Sequence, residues 1–318
     1  MAGVARDDAN SIAVRGLSIK DKTVIANVDT DYMISAAAFS GDGAWFVVGD
    51  SSGTITILEV DTNRTYKIGT AAPTNALDVS YYGSIIAAAT SNNVMIYTWT
   101  NRNLILKSLI KCSYGGSPCV KLARDTGSVF YTVNHDRMQR ANLEGIVMTT
   151  YEFFNYPIKE ILFSHDGRLV VAIDSNKNVR WWDVDNPSHF GNMFVQSSDD
   201  EGLNQGYWPL TLSPGLDKFA AYRENVGVIV WEGTRPAEYI RVTEDTEKPF
   251  AIRFSDNAQE LVVTYTDQHD FSQRRSLVVN IARREVVSNM FGAHGFVFSE
   301  NGTRYAMIRG DKSADVFQ

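Results

Sequence analysis

Few residues in this sequence have the types and spacing that catalysis or metal binding requires. The five histidines are scattered, and none has a set of cysteine, histidine or aspartate partners at spacings typical of zinc ligands. The one local cluster that could hold a metal ion is Asp267-Gln-His269-Asp270, which we interpret as a polar loop. The Gly-x-Ser-x-Gly, phosphate-loop and dinucleotide-binding motifs do not occur. We therefore predict no catalytic residue, no metal site and no cofactor.

The two cysteines, Cys112 and Cys119, indicate a reducing compartment, because two thiols in 318 residues are too few for a disulfide framework. A local bridge between them is the alternative. The N-terminal residues lack the apolar run of a signal peptide, and the chain has no apolar stretch of about 18 residues. We expect a cytoplasmic or nuclear protein with no membrane span.

The charge balance argues against direct nucleic-acid binding. Thirty lysines and arginines stand against 37 acidic residues, a formal net charge of −7, whereas phosphate recognition needs a basic surface. The negative charge mildly favours basic partners. Hydrophobic residues make up 44% of the chain and charged residues 21%, as in an ordinary globular protein with a sizeable core.

A recurrent motif divides the chain into repeat units. The strands of these units must position any functional site. An apolar residue is followed by serine and then by a polar turn containing aspartate, glycine or asparagine; alanine replaces the serine once. The successive intervals are 40, 43, 41, 49, 42 and 44 residues. The seven marks are Ser40, Ser80, Ala123, Ser164, Ser213, Ser255 and Ser299.

A second mark follows the first at a nearly constant distance. Trp182, of the pair Trp182-Asp183, lies 18 residues after Ser164, and Trp231 lies 18 after Ser213. The offset is also 18 in three further units, 17 in the second unit and 25 in the sixth, where a loop is longer. The residues at these positions are Leu58, Ala141, Phe317, Tyr97 and Asn280. Two marks with one period indicate a repeat protein.

Each unit reads as four short strands. The first contains the segments ISAAAFS, WFVVGDS, TITILEV and YKIG, which are rich in β-branched and aromatic residues and are separated by turn residues. No segment keeps a helical period over three turns. Seven four-stranded units predict an all-β, seven-bladed β-propeller of antiparallel blades, formed by residues 1–318 as a single domain.

The units resemble divergent members of the WD-repeat family. The resemblance rests on Phe163–Gly167 (FSHDG) at the end of a first strand and Val179–Asp183 (VRWWD) at the end of a third, and it extends from about Tyr32 to Gln318. The family's Gly-His pair is missing, and Gly292-Ala-His294 is the nearest approach. The buried hydrogen-bond network implied by that family is therefore not expected, and packing must supply more of the blade stability.

The last unit stops after three strands, so its outer strand must come from elsewhere. The segment Thr23–Val28 (TVIANV) precedes the first mark at a suitable distance, and we predict that it closes the ring as the outer strand of the last blade. Ile12–Leu17 (IAVRGL) also reads as a third strand and competes with residues 313–318 for one place. A further alternative is that the chain is one domain of a longer protein.

The candidate partner-binding surface is the face that carries the longest loops. The resemblance implies that partners bind where the loops between blades and those between second and third strands meet. Two insertions, Val195–Pro209 and Thr266–Ser276, are expected there, with Arg241–Phe250 between them. The candidate partner-binding residues are Asp199, Asp200, Glu201, Tyr207, Trp208, Glu244, Asp245, Phe271, Arg274 and Arg275.

These loops favour one function and leave another open. The leading hypothesis is a non-enzymatic protein–protein interaction scaffold that docks partner proteins or peptides on the propeller face within a larger assembly. The alternative is a propeller enzyme or small-ligand binder with its site at the mouth of the central channel, where distant residues meet without a linear motif. A plainer interpretation of the loops is that solvated loops are normally charged and that Trp208 begins a core strand.

Overall fold

The computed structural model describes residues 24–317, apart from 71, 113–117, 126, 135, 153–154, 165, 177, 195–209, 214, 224–225, 233–238, 242–248, 256–257, 267–273, 300–303 and 311. Within these residues, 28 strands form seven four-stranded antiparallel sheets, and no helix occurs. Runs of β-branched and aromatic residues between tight turns give the strands, because such side chains pack well on a pleated, half-buried surface. The predicted seven-bladed all-β propeller is confirmed.

The strands follow one another around the ring in chain order. The first described strand is β1 (Val24–Asp29). Blade 1 contains β2 (Ile34–Phe39), β3 (Trp45–Asp50), β4 (Thr54–Glu59) and β5 (Arg64–Gly69). Blade 2 contains β6 (Ala76–Val79), β7 (Ile85–Ala89), β8 (Asn93–Thr100) and β9 (Asn103–Lys111). Blade 3 contains β10 (Val120–Leu122), β11 (Ser128–Val133), β12 (Arg137–Asn142) and β13 (Val147–Tyr151).

The second half of the ring has the same organisation. Blade 4 contains β14 (Ile158–Phe163), β15 (Leu169–Asp174), β16 (Asn178–Asp183) and β17 (Phe190–Phe194). Blade 5 contains β18 (Leu210–Leu212), β19 (Lys218–Arg223), β20 (Gly227–Glu232) and β21 (Tyr239–Arg241). Blade 6 contains β22 (Ala251–Phe254), β23 (Glu260–Thr266), β24 (Arg274–Asn280) and β25 (Glu285–Phe291). Blade 7 contains β26 (Ala293–Phe298), β27 (Tyr305–Arg309) and β28 (Ser313–Phe317).

Strand β1 completes blade 7 and closes the ring. It pairs antiparallel with β28, with Val28 opposite Ala314, and the sheet order is β1-β28-β27-β26. The side chain of Asn27 reinforces the closure by donating from Nδ2 to Asp315 Oδ1 at 2.8 Å. The prediction that the segment Thr23–Val28 supplies the outer strand is confirmed for Val24–Val28, and Thr23 lies outside the described residues. Residues 313–317 form the third strand of this blade, whereas the competing segment 12–17 lies outside the described residues.

Neighbouring blades are held together by apolar clusters, and in the described residues each of the seven boundaries has its own cluster. At the boundary between blades 3 and 4, Trp182 is fully buried beside Phe130 and Tyr151, and the Tyr151 and Trp182 ring centroids are 5.3 Å apart. Trp231 fills the corresponding place between blades 4 and 5. Trp182 and Trp231 are therefore packing residues between blades.

The second mark of blade 6 is Val279, so the prediction of Asn280 is wrong by one residue. Leu261 pairs with Val279, as Val170 pairs with Trp182 in blade 4, and both Leu261 and Val279 are fully buried. Asn280 pairs with Glu260 instead. Counting through an inserted loop does not fix strand register, and a slip of one residue moves a side chain to the opposite face of the sheet.

The alternating strand directions sort the connections between two ends of the ring. Because successive strands are antiparallel, connections between first and second and between third and fourth strands lie at one end, which we call the turn face. Connections between second and third strands and between blades lie at the other end, which we call the loop face.

The serine of the repeat mark secures the connection between the first two strands of its blade. The Ser164 hydroxyl accepts the backbone N–H of Leu169 at 2.9 Å and donates to Asp166 Oδ1 at 2.6 Å. The bond to the N–H five residues later recurs at 2.9–3.0 Å in five other blades. In blade 3, where alanine replaces serine, the Ala123 N–H still donates to the Ser128 carbonyl at 2.9 Å. The serine of the repeat mark is therefore a residue whose hydroxyl stabilises the turn by a hydrogen bond.

Candidate functional site

The structure describes two of the ten predicted partner-binding residues, Arg274 and Arg275. Both begin β24, at the loop face. The other eight lie outside the described residues, so the predicted surface as a whole stays a prediction. These eight are Asp199, Asp200, Glu201, Tyr207, Trp208, Glu244, Asp245 and Phe271.

Arg274 brings three elements of the loop face together. Its guanidinium carbon lies 4.4 Å from the centroid of the Phe250 ring, at the end of the connection between blades 5 and 6. Its Nη1 donates to the backbone carbonyl of His294, in the first strand of blade 7, at 2.9 Å. Burial lowers the pKa of the Arg274 guanidinium from its ordinary value, yet an arginine remains charged at neutral pH.

The Phe250 ring is 58% exposed, although a cation stacks on it. The buried Nε of Arg274 has no hydrogen-bond partner among the described residues. A large exposed ring with a fixed cation on one side resembles the aromatic and arginine anchors that contribute most to protein interfaces. We call these two residues the Arg274–Phe250 platform.

Arg275 has a different role from its neighbour. Successive residues of a strand point to opposite faces, and the Arg275 guanidinium lies over the ring of Tyr265 at 4.9 Å. Tyr265 is fully buried in the cluster between blades 5 and 6. Arg275 therefore covers a core residue, and the predicted arginine pair does not act as one unit.

Phe250 is a residue that the sequence reasoning did not single out. It lies at the end of the polar segment Arg241–Phe250, directly before an apolar strand. An aromatic residue at such a place normally begins the buried strand, so its type gives no sign of exposure. The available signal was its position at the end of an inter-blade connection on the predicted partner face.

The central channel forms a cavity of about 610 Å³, lined by the innermost strands of all seven blades. The lining includes Gly41, Tyr81, Tyr82 and Arg124 from connections at the turn face, so the cavity opens there. Tyr82 is 74% exposed, and its ring makes an edge contact with Tyr81 at 4.9 Å between centroids. This opening lies at the opposite end of the ring from the Arg274–Phe250 platform.

Two ion pairs join different blades inside the channel. Lys121 Nζ lies 2.9 Å from Asp78 Oδ1, and Asp78 Oδ2 accepts the Leu122 N–H at 2.7 Å. The charge of Asp78 raises the pKa of Lys121. Arg253 of blade 6 pairs with Glu160 of blade 4, and this carboxylate raises the pKa of Arg253. Each cation of these pairs is therefore matched by a carboxylate of another blade.

One sequence comparison identifies the repeat unit. The family described as WD domain, G-beta repeat, matches residues 22–57. The match begins just before β1, the outer strand of blade 7, and ends within β4, the third strand of blade 1. One sequence repeat therefore spans two blades, and this overlap is the one that locks the ring. The chain is a seven-bladed β-propeller that contains a WD repeat. No curated protein matches it. WD-repeat propellers generally act as protein-interaction scaffolds, typically without enzymatic activity.

The cysteines of this WD-repeat propeller are free thiols, so the local bridge between Cys112 and Cys119 is not formed. The Cys119 thiol, just before β10 of blade 3, donates to the Lys159 carbonyl of blade 4 at 3.1 Å. Burial and the nearby charge of Glu160 raise the pKa of the Cys119 thiol to about 12. A protonated thiol is a poor nucleophile, so the geometry does not prepare Cys119 for covalent catalysis.

The polar groups of the channel are arranged for mutual pairing. Among the described residues of this WD-repeat propeller, no group of three or more histidine, cysteine, aspartate or glutamate side chains could hold a metal ion. No helix long and apolar enough to cross a membrane is found in the part of the chain that the structure describes.

Proposed function

We propose that this WD-repeat propeller is a non-enzymatic scaffold that docks partner proteins or peptides on its loop face, within a larger assembly. The observation that carries the proposal is the Arg274–Phe250 platform, which combines an exposed ring with a fixed cation on that face. Phe250 ends the nine-residue connection between β21 and β22, Arg274 follows the seven-residue connection between β23 and β24, and the connection between β17 and β18 has 15 residues. Long connections on a rigid ring are where binding residues are commonly added.

The partner is proposed to present an apolar anchor together with basic residues. The exposed Phe250 ring supplies an apolar contact, and the predicted site residues Asp199–Glu201, Glu244 and Asp245 supply negative charge. The net charge of −7 supports the same choice, since complementary charge steers association and suppresses wrong partners. We also place the protein in the cytoplasm or nucleus, which imaging of a tagged chain tests.

Quantitative affinity purification tests the proposal. We expect Phe250→Ala to lose most of the partners that wild-type protein retains, and shortening residues 196–206 or 267–275 to have the same effect. Tyr82→Ala is the matched control, because Tyr82 is an even more exposed aromatic residue at the turn face. An unchanged partner set in Phe250→Ala and in both shortened proteins would contradict the choice of surface.

A small-ligand site at the channel mouth is the second candidate function. The cavity of about 610 Å³ favours it, because this volume lies within the range of ligand pockets and charged side chains converge there. A thermal-shift screen of small molecules with wild-type protein and Lys121→Met tests it. Compounds that stabilise wild type but not the variant would favour this candidate over the scaffold.

A further inference from the structure

The outer edge of blade 2 is unusually apolar for a surface. Strand β9 has nine residues and is the longest of the described strands. Its Ile105, Leu106 and Leu109 side chains are each about half exposed, between 48% and 55%. β9 is the last strand of its sheet, and in the described residues no further strand pairs with it. Its outer backbone N–H and C=O groups therefore form an open template for another strand.

Blade 3 extends this apolar surface on one side of β9. Ile146, Val147 and Met148 follow the turn between β12 and β13 and are between 45% and 65% exposed. That turn lies against β9, because a Cβ atom at Gly145 would be 3.3 Å from Cγ1 of Ile110. An ion pair of 3.0 Å between Lys107 and Glu144 joins the same two elements. The apolar residues of blades 2 and 3 therefore adjoin.

An aromatic groove lies on the other side of β9. It has a volume of about 300 Å³ and is formed where the outer strand of blade 1 meets the start of β9. Tyr66 and Trp99 form its aromatic wall, with ring centroids 5.0 Å apart, and Ile68 and Leu104 line it as well. The open edge of β9 therefore runs between two apolar surfaces.

This arrangement is better suited to binding an added strand than to binding a flat partner surface. The side chains of a strand alternate between the two faces of its sheet. In β9, Leu104 packs toward blade 1 and Ile110 toward blade 3, because an irregularity in the pairing with β8, at Lys107, reverses the alternation between them. A strand that pairs with its open edge would place alternate side chains in the groove and against Ile146 and Met148. Backbone pairing with side-chain pockets on both sides is the principle of β-strand addition.

Positive charge lies at both ends of this edge. Arg102 directly precedes β9, and Lys111 is its last residue. Lys67 and Lys107 are neutralised by the exposed carboxylates of Asp31 at 3.9 Å and Glu144 at 3.0 Å, so the positive charge of this edge is that of Arg102 and Lys111. A cationic edge on a protein of net charge −7 favours an incoming segment with acidic residues at its ends.

We propose that the edge of β9 docks an extended segment of a partner protein by strand addition, and that this segment has an apolar, β-branched centre and an acidic residue at each end. The site lies on the circumference of the ring, away from the Arg274–Phe250 platform. It therefore goes beyond the proposed function of the loop face and does not depend on it.

Fluorescence anisotropy with synthetic peptides tests the proposal. The probe is a fluorescein-labelled nine-residue peptide with aspartate and glutamate at its ends and alternating valine, isoleucine and threonine between them. We expect saturable binding that weakens about tenfold or more when the ends are changed to lysine. N-methylation of alternate peptide amides is expected to abolish binding, because it removes the N–H donors that would pair with β9.

Surface variants assign the binding to the edge. We expect Leu109→Glu to weaken peptide binding about tenfold and Arg102→Glu to weaken it chiefly at low salt. Val286→Glu is the matched control, because Val286 is an exposed residue of another outer strand, β25. The Val286→Glu protein should bind the peptide as wild type does. Phe250→Ala should also bind normally, which separates this proposal from that for the loop face.

Three outcomes would overturn the proposal. Equal binding of the N-methylated peptide would show that no strand is added. Wild-type affinity in Leu109→Glu would place the peptide elsewhere. Sedimentation of wild-type protein as a dimer that Leu109→Glu dissociates and the peptide does not disturb would assign the edge to a second copy of this chain.

Discussion

The serine of the repeat mark offers the most direct test of how this propeller is held together. In blade 4 the Ser164 hydroxyl is buried and accepts the Leu169 N–H at 2.9 Å, where β15 begins. Ser164→Ala removes the acceptor and adds no compensating partner. Leaving one buried backbone N–H unsatisfied costs about 1–3 kcal/mol. With an m value of about 3 kcal/mol/M, a loss of about 2 kcal/mol lowers the urea midpoint by about 0.7 M.

The reciprocal substitution provides the control. Blade 3 has Ala123 at the same place, with Asp125 two residues later and Ser128 five residues later, the spacing found in blade 4. Ala123→Ser therefore restores the missing hydroxyl and is expected to raise the free energy of unfolding by up to about 1 kcal/mol. Urea titrations followed by circular dichroism measure both changes. A midpoint for Ser164→Ala equal to that of wild type would refute the structural meaning that we assign to the mark.

The pH dependence separates the two bonds of Ser164. Its hydroxyl donates to Asp166 and holds the pKa of that carboxyl below its ordinary value of 3.8. A carboxyl whose pKa is lowered by folding stabilises the protein above its unfolded-state pKa, and this stability is lost as the pH falls through the folded-state pKa. The difference in free energy of unfolding between wild type and Ser164→Ala should therefore become smaller in acid. It should not vanish, because the bond from Leu169 does not titrate.

Three further predictions concern a turn glycine, the strand that closes the ring and the Cys119 thiol. Gly83→Ala should destabilise by about 1–3 kcal/mol in urea titrations, because Gly83 has φ +74° and a Cβ there would lie 2.3 Å from a tryptophan ring of blade 1. Val28→Asp should cost more than about 3 kcal/mol in the same assay, since it buries a charge in the closing strand. In the Cys112→Ser variant, Cys119 should react with iodoacetamide at pH 8 at least about a hundredfold more slowly than free cysteine does. Unfolding this variant in urea should make the reaction of Cys119 faster.

Control substitutions at comparable but unconstrained positions should have little effect on stability. Gly69 has open space around its added Cβ, so Gly69→Ala should change stability by less than about 0.5 kcal/mol. Val24 is exposed on the same strand as Val28, so Val24→Asp should also change stability by less than about 0.5 kcal/mol. Equal losses within either pair would contradict the explanation for that pair, and rapid alkylation of Cys119 in the folded protein would contradict the raised pKa of its thiol.

The sequence predicts the architecture because the repeated residues perform local tasks. Ser164 ties its own turn and Trp182 fills the boundary with the preceding blade, so their spacing records the strand lengths between them. The error at Asn280 arises where the spacing crosses a longer loop. Since loop residues do not constrain register, only the pairing of Leu261 with Val279 shows which residue faces the core.

The sites were less predictable, because they depend on contacts between blades. Arg253 and Glu160 are 93 residues apart and meet only because blades 4 and 6 both border the channel. Phe250 has the residue type of a strand start but stays exposed under Arg274. The sequence of β9, NLILKSLIK, has the apolar content of a buried strand. Its exposure follows from its place at the circumference, which residue type alone does not reveal.

The closure of the ring by β1 also has a consequence in time. Asn27 and Asp315 are separated by 288 residues, and protein synthesis adds about 5–20 residues per second, so β1 emerges roughly 15–60 s before its partner β28 exists. During this delay the apolar flank of blade 1, which includes Phe39 and Phe46, has no neighbour. The nascent protein is therefore an open arc with an uncovered end, and this interval is when it most needs protection from aggregation.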